Sequence, residues 1–349
     1  MIYHGDGGAG VGGLVGMSTG GIIENCYVTG NVSGDYRVGG LVGWIDGGII
    51  ENSYATGNVN GNDYVGGLVG HHQNGTITNS YASGTLSGNY GVGGLAGDNE
   101  SGIIENSYAT GNVNGDERVG GLAGDNDSQI TNSYATGNVN GDERVGGLVG
   151  YNASTITNSY ATGTVSGTSE IGGLVGYKES GIITNSFWDV ETSGQSSSDG
   201  GTGLTTTEMK TISNFIDAGW DFTDIWQLYE YVNDGYPSLQ WQGTDTSIFD
   251  EDIIMVSDKA KLYPAYPNPF NPTTTISFDI KEKTNVSIEI FNIKGQRVKQ
   301  LVNREVAPGH HIVVWNGTDD NNRIVSSGVY FYKMQADEYF KINKIIMMK

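Results

Sequence analysis

Small and apolar residues alternate with polar ones over short runs in the first half of the chain, and the same run returns at a fixed interval. In ITNSYATGNVNGDERVGGLVG, residues 130–150, Ser133, Ala135, Gly137 and Val139 alternate with Asn132, Tyr134, Thr136 and Asn138. A two-residue period is that of a strand with one face buried, and the small and apolar set is the better candidate for the inside. Ile130 is out of phase with that set, so the chain must bend or bulge near Asn132. The closing phrase Val-Gly-Gly-Leu-x-Gly, opened by Ile171 in its last copy, places leucines at Leu14, Leu41, Leu68, Leu95, Leu122, Leu148 and Leu174. Their spacings are 27, 27, 27, 27, 26 and 26 residues. A fixed period of this length without a 3.6-residue apolar pattern predicts an all-β fold, a parallel β-solenoid of seven coils over residues 1–187. The pair Gly146-Gly147 suits one corner, where backbones approach closely or take positive φ, and Gly141-Asp142-Glu143-Arg144 supplies another.

Stacking coils sets identical residues above one another. Asn25, Asn52, Asn79, Asn106, Asn132, Asn158 and Asn185 form an amide ladder; Tyr27, Tyr54, Tyr81, Tyr108, Tyr134 and Tyr160, ending in Phe187, form an aromatic one. Such ladders stabilise the coil. An outward stripe of Tyr54, Tyr81, Tyr108, Tyr134 and Tyr160 with Thr110 and Thr136 is also the candidate ligand site, because aromatic faces suit sugar C–H groups and hydroxyls suit sugar hydroxyls. The one cysteine, Cys26, replaces the Ser53, Ser80, Ser107, Ser133, Ser159 and Ser186 of the other copies, which predicts a small inward position and an inert thiol.

After the array, residues 188–242 break the period and gather aromatics, among them Trp188, Phe215, Trp220, Trp226 and Trp241. Thr205-x-x-Glu208 has the form of a capping box and predicts a short helix to about Ala218. A solenoid end needs a cap, and this segment is assigned that role. Residues 243–261 read as a linker, with Ile253, Ile254 and Met255 as a short strand. Residues 262–349 open on Pro267-Asn268-Pro269-Phe270-Asn271-Pro272 and continue as six or seven short strands, which predicts an antiparallel Ig-like sandwich.

Charge narrows the function. Residues 1–261 carry 7 Lys and Arg against 31 Asp and Glu, whereas residues 262–349 carry 11 against 8. The long acidic part repels nucleic acid and anionic lipid, so nucleic-acid binding is not expected. No 18-residue apolar run occurs, so no transmembrane segment is expected either. Asp98-Asn99-Glu100 and Asp125-Asn126-Asp127 recur one coil apart as acidic turns, making Asp98, Asp125 and Asp127 the candidate calcium ligands; no other cofactor is indicated. The pairs His71-His72 and His310-His311 lack a spaced third ligand. Lyase-type sites on β-helices need a base beside clustered carboxylates, but Arg37, Arg118 and Arg144 arise at one repeat position, which marks a ladder before a catalyst. No catalytic residue is assigned, and the chain is expected not to be an enzyme.

The phrases GGLVG, GGLAG and NSYATG resemble the GLUG-motif repeats of bacterial surface proteins, over about half the chain. Such repeats occur in adhesin-like proteins and in IgA-specific metallopeptidases, whose His-Glu-x-x-His zinc helix has no counterpart here. The tail resembles the type A C-terminal sorting domain of type IX secretion cargo. That likeness rests on PNPFNP with Pro267, Asn268, Pro269 and Phe270, on FNIKGQRV with Gly295, on Trp315-x-Gly317-x-Asp319, on Gly328 and Tyr330 of SGVY, and on a last strand ending at Lys349. It implies the type IX machinery as partner, release or attachment outside the outer membrane, and a signal peptide upstream of Met1. The resulting expectation is a secreted, non-enzymatic adhesion or glycan-binding solenoid that meets a surface glycan or a host or substrate surface. The alternatives are a passive spacer for an N-terminal domain, or a fragment of a carbohydrate-active enzyme or peptidase whose catalytic domain lies elsewhere.

Overall fold

The structure, a computed structural model, describes residues 10–229, 232–244, 260–337 and 339–348. The strand expected at Ile253–Met255, most of the 243–261 linker and Lys349 lie outside the described residues. The chain divides into two compact units, Met1–Thr211 and Ile212–Lys349. The division falls inside the segment assigned to the cap.

The first unit is a parallel β-solenoid. Each complete coil has five short strands rather than the three sides that three corners would give, as in Glu117–Gly120, Ala123–Asn126, Ile130–Thr131, Tyr134–Ala135 and Val139–Asn140. Like strands stack in register into five sheets of six to eight strands, for example Val119↔Val145 and Tyr108↔Tyr134. The 26-residue coils drop one residue from the turn after the second strand, and the register resumes at Ile104↔Ile130.

Two corners show why the repeat has its composition. At Asn132 and its equivalents φ is 46–53°, a left-handed bend that asparagine tolerates better than most residues and that the phase break at Ile130 requires. The bend leaves an amide that the next coil's serine satisfies. Ser133 N–H donates to Ser159 Oγ at 3.2 Å, and Ser133 Oγ donates to Thr131 O at 2.9 Å. The ladder runs from Cys26 to Ser186. Cys26 holds the serine position in the first described coil, and its thiol donates to Glu24 O at 3.3 Å.

At the second corner glycine is needed for closeness and not for positive φ. A Cβ on Gly146 would lie 1.9 Å from Val149 O, and one on Gly121 would lie 2.1 Å from Gly147 O and 2.8 Å from Ala135 Cβ. This tight reversal pinches the coil into two lobes with separate cores. Leucine, valine, isoleucine and alanine, such as Leu122, Ala123, Ile130 and Ala135, fill the larger lobe. Two stacked columns, Val113 with Val139 and Val119 with Val145, fill the smaller.

One polar file runs inside the larger lobe. His72 Nδ1 lies 2.8 Å from Asn99 Oδ1, Asn99 Nδ2 donates to Asn126 Oδ1 and Asn126 Nδ2 to Asn152 Oδ1 at 2.7 Å, and Asn152 Nδ2 donates to Ser154 O. Each amide is wholly buried and paired, which makes the file tolerable. Burial lowers the pKa of His72 to about 4, with the Asn99 hydrogen bond acting against the shift.

The C-terminal end is sealed by the chain itself. Trp188, paired with Ala161, lies over Gly173 and plugs the larger core. Ser198 Oγ accepts from Leu174 N–H and Val175 N–H at 3.2 and 2.8 Å, in place of the leucine carbonyl a further coil would offer. The expected capping box at Thr205 and Glu208 forms and starts a helix. That helix ends at Met209, and a second one spans Ile212–Asp217, so the single helix to Ala218 is two.

In the second unit, a three-stranded and a four-stranded antiparallel sheet share one core that includes Phe270, Ile288, Trp315 and Tyr332. Among the short strands expected of the tail, Thr274–Ile280 lies in the first sheet and Tyr339–Met347 in the second.

Gly121→Ala should cost about 3 kcal/mol or more, because its Cβ meets backbone that cannot yield. Gly30→Ala, with nothing within 4 Å, should be near neutral in the same urea titration. His72 takes a proton near pH 6.5 when unfolded and near 4 when folded, so its contribution is intact above 6.5 and lost as pH falls towards 4. Roughly 3 kcal/mol of acid loss between those limits should belong to His72, read as the difference between the native chain and His72→Asn denatured at each pH. His72→Asn should remove most of that loss, and an unchanged slope would refute the assignment.

Candidate functional site

The tyrosine stack forms, but it is a structural seam and not a surface. Rings from Tyr27 to Tyr160 lie 4.8–5.1 Å apart and within 13° of parallel. Tyr81, Tyr108, Tyr134 and Tyr160 are buried, Tyr54 is half-buried and only Tyr27 is exposed. Each ring from Tyr54 to Tyr134 spends both faces on its neighbours, so the faces a sugar would stack on are occupied there. Thr110 is exposed and Thr136 half-buried, beside rings that present no stacking face. The candidate stripe of Tyr54, Tyr81, Tyr108, Tyr134, Tyr160, Thr110 and Thr136 is corrected accordingly.

The acidic residues are also placed differently from expectation. Asp98 and Asp125 are buried on the strands Ala96–Glu100 and Ala123–Asn126, and of the three candidate calcium ligands only Asp127 sits in a turn and is exposed. The cause is the closeness of two sheets. A Cβ on Gly97 would lie 2.6 Å from the carbonyl carbon of Tyr64, so the second strand of one coil lies against the outer side of the first strand of the coil before. The residue after this glycine then faces a notch between the sheets.

Residues from both sheets meet along the notch. One side carries Trp44, His71, Asp98, Asp125, Tyr151 and Tyr177. The other carries Arg37, Tyr64, Arg118 and Arg144, all with φ of 52–56°, and Glu170. A left-handed conformation is costly for such side chains, and in the fourth coil glycine, Gly91, takes the place. Guanidinium groups lie over rings: Arg37 is 4.3 Å from the Trp44 centroid and Arg118 is 4.2 Å from that of Tyr151. Arg118 also pairs with Asp125, and Arg144 bridges Glu117 and Glu170 at 2.9 Å. Tyr64 lies edge-on to His71 at 5.8 Å. Burial, with Asp98 and Asp127 alongside, pushes the Asp125 carboxyl up to about 7 despite Arg118, and burial raises the Tyr64 phenol as well.

The sequence pattern presents Asp98 and Asp125 as acidic turns, and the column to which they belong is hidden among positions that do not repeat. That failure to repeat is the signal that finds it. In a repeat that keeps its Val, Gly, Leu, Asn, Ser and Tyr almost unchanged, the residue after the motif's last glycine reads Met17, Trp44, His71, Asp98, Asp125, Tyr151 and Tyr177.

The sorting-signature residues mostly hold their own unit together. Asn268 joins the opening segment to the last strand, its Oδ1 accepting from Ile346 N–H at 2.8 Å and its Nδ2 donating to Lys344 O at 3.1 Å. Phe270, Trp315 and Tyr330 pack ring to ring at 5.2 and 5.1 Å. Pro267 O accepts from Thr274 Oγ1 at 2.7 Å, and Pro269 is exposed. Gly295 takes φ 69° in a turn, and Gly328 opens the strand Gly328–Ala336.

Comparison with known proteins accounts for most of the chain. A family model described as the GLUG motif matches residues 7–33, 34–60, 61–87, 88–114, 115–140 and 141–166. One described as the secretion system C-terminal sorting domain matches residues 264–348. A protein described as a Gly-rich membrane protein of Evansella cellulosilytica is 48% identical over 58 residues, 17% of this chain and 6% of that protein. Among solved structures, dimeric latent PorU from Porphyromonas gingivalis shares 18% identity over 26% of this chain and 9% of its own, with a TM-score of 0.23. The chain thus spans less than a tenth of either relative. No helix among the described residues is long and apolar enough to cross a membrane. The tail marks the protein as type IX cargo, secreted or held at the cell surface. The chain is a GLUG-motif β-solenoid carrying a type IX C-terminal sorting domain.

Proposed function

We propose that the solenoid is a non-enzymatic adhesion or glycan-binding module whose contact surface is the notch and not the tyrosine stack. The observation that carries this reading is the change of side chain from coil to coil along one column, from Trp44 to Tyr177, while the columns that build the coil repeat. Half-buried rings at Trp44, Tyr64, Tyr90, Tyr151 and Tyr177, interleaved with Arg37, Arg118 and Arg144, offer apolar area, cation and hydrogen-bond donors together. Such a mixture suits a sugar chain, with its C–H faces and hydroxyls, better than the uniform Thr and Asn columns do. The seven strands of the tail, in two antiparallel sheets, support its reading as an Ig-like export domain.

The native chain should bind saturably on a glycan array or a cell surface. Trp44→Ala, Tyr64→Ala and Tyr151→Ala together should weaken that binding about tenfold or more. Thr110→Ala with Thr136→Ala should not. Binding untouched by the triple variant would remove the notch from consideration, and a native chain that binds nothing would be a spacer. Removing residues 264–348 should strand the protein in the periplasm of a type IX host; efficient secretion of the shortened chain would contradict the assignment.

A further inference from the structure

We propose that His71, Asp98 and Glu100 form a binding site in the notch for one divalent transition metal ion, zinc being the representative. The three residues lie on neighbouring strands, Val69–Gln73 and Ala96–Glu100, with His71 in register with Asp98. Glu100 follows Asp98 by two residues and so projects on the same side of its strand. His71 Nδ1 is 3.0 Å from Asp98 Oδ2, and His71 Nε2 is 3.2 Å from Glu100 Oε2. One ligand atom from each residue lies within 4.8 Å of the others; a single ion bonds one imidazole nitrogen, so the carboxylate now beside the other nitrogen turns towards it to complete bonds of about 2.1 Å.

Unmet hydrogen bonding at the cluster points to a ligand independently. Asp98 is 7% exposed, and its Oδ1 has no hydrogen-bond partner. Its other oxygen is close to His71 Nδ1, but the two are not aligned as a hydrogen bond, and Nδ1 is itself without a partner. A buried carboxylate beside a buried imidazole nitrogen, neither hydrogen-bonded to the other, is a costly arrangement that a cation between or beside them relieves. The nearby guanidinium of Arg118 does not serve, because it pairs with Asp125. Among the described ion pairs, Asp98 and Glu100 meet only His71.

The donor set selects the class of metal. Calcium takes six to eight oxygen ligands, and two carboxylates with one imidazole do not supply them. One imidazole with two carboxylates suits zinc and its neighbours, with water at the remaining positions. Glu100, whose side chain is 46% exposed, leaves that side open. Bound there, the ion would join the third and fourth coils along one side of the notch, whatever the notch itself contacts.

Isothermal titration of the chelator-stripped full-length chain with zinc, on a His310→Gln background that removes the surface pair of His310 with Asp279, tests the proposal. One equivalent should bind, and His71→Gln or Asp98→Asn should each weaken it tenfold or more. Zinc K-edge absorption of the loaded parent chain should show one imidazole nitrogen among oxygen ligands, a readout that does not depend on either variant folding. Absence of stoichiometric zinc binding, binding unchanged by both variants, calcium bound in preference to zinc, or an edge spectrum without imidazole would each overturn it.

Discussion

The structure depends on two stretches of backbone passing each other with no side chain between them. Gly97 against Tyr64, and Gly150 against Arg118 and Val119, leave no room for even a methyl group. That contact pinches the coil, separates the leucine-rich core from the valine columns and turns the first strand's outer side towards the second. The notch is therefore a by-product of how the coil closes. Its chemistry is free to vary because the backbone contact, and not the side chains, holds the two sheets together.

The other recurring demand is backbone hydrogen bonding at the asparagine bend. A left-handed residue interrupts the strand and misaims one amide per coil, and a hydroxyl from the next coil repairs it. Serine is the smallest residue that both accepts this bond and donates onward. At Cys26 a thiol stands in the serine's place and donates to Glu24 O. At the opposite end Ser198 does the equivalent repair from a loop.

Much of this was legible from the repeat alone. The period, the inward file of Ser133, Ala135 and Val139, the bend at Asn132, the capping box at Thr205 and the tail strands all follow from local pattern. What escaped was set by contacts between coils. Tyr134 alternates outward from Ser133 and Ala135, yet the rings above and below take both its faces. Asp98-Asn99-Glu100 looks like a polar turn, but it is a strand whose middle residue points into the core and joins an amide file. In a stacked fold repetition marks what carries the stack, and the informative positions are those that refuse to repeat.

The registered stacking has a historical consequence. The lower face of a coil such as residues 92–118 meets the same ladders as the lower face of the coil at 119–144, so gaining or losing one whole coil between them recreates every interface. A gene coding for such near-identical units can lengthen or shorten by recombination, and each product folds with its height changed by about 4.8 Å. The notch responds differently, because its groups, such as His71 with Asp98, belong to neighbouring coils. The same event that leaves the scaffold intact reshuffles which side chains face one another there, so array length and surface chemistry evolve in a single step.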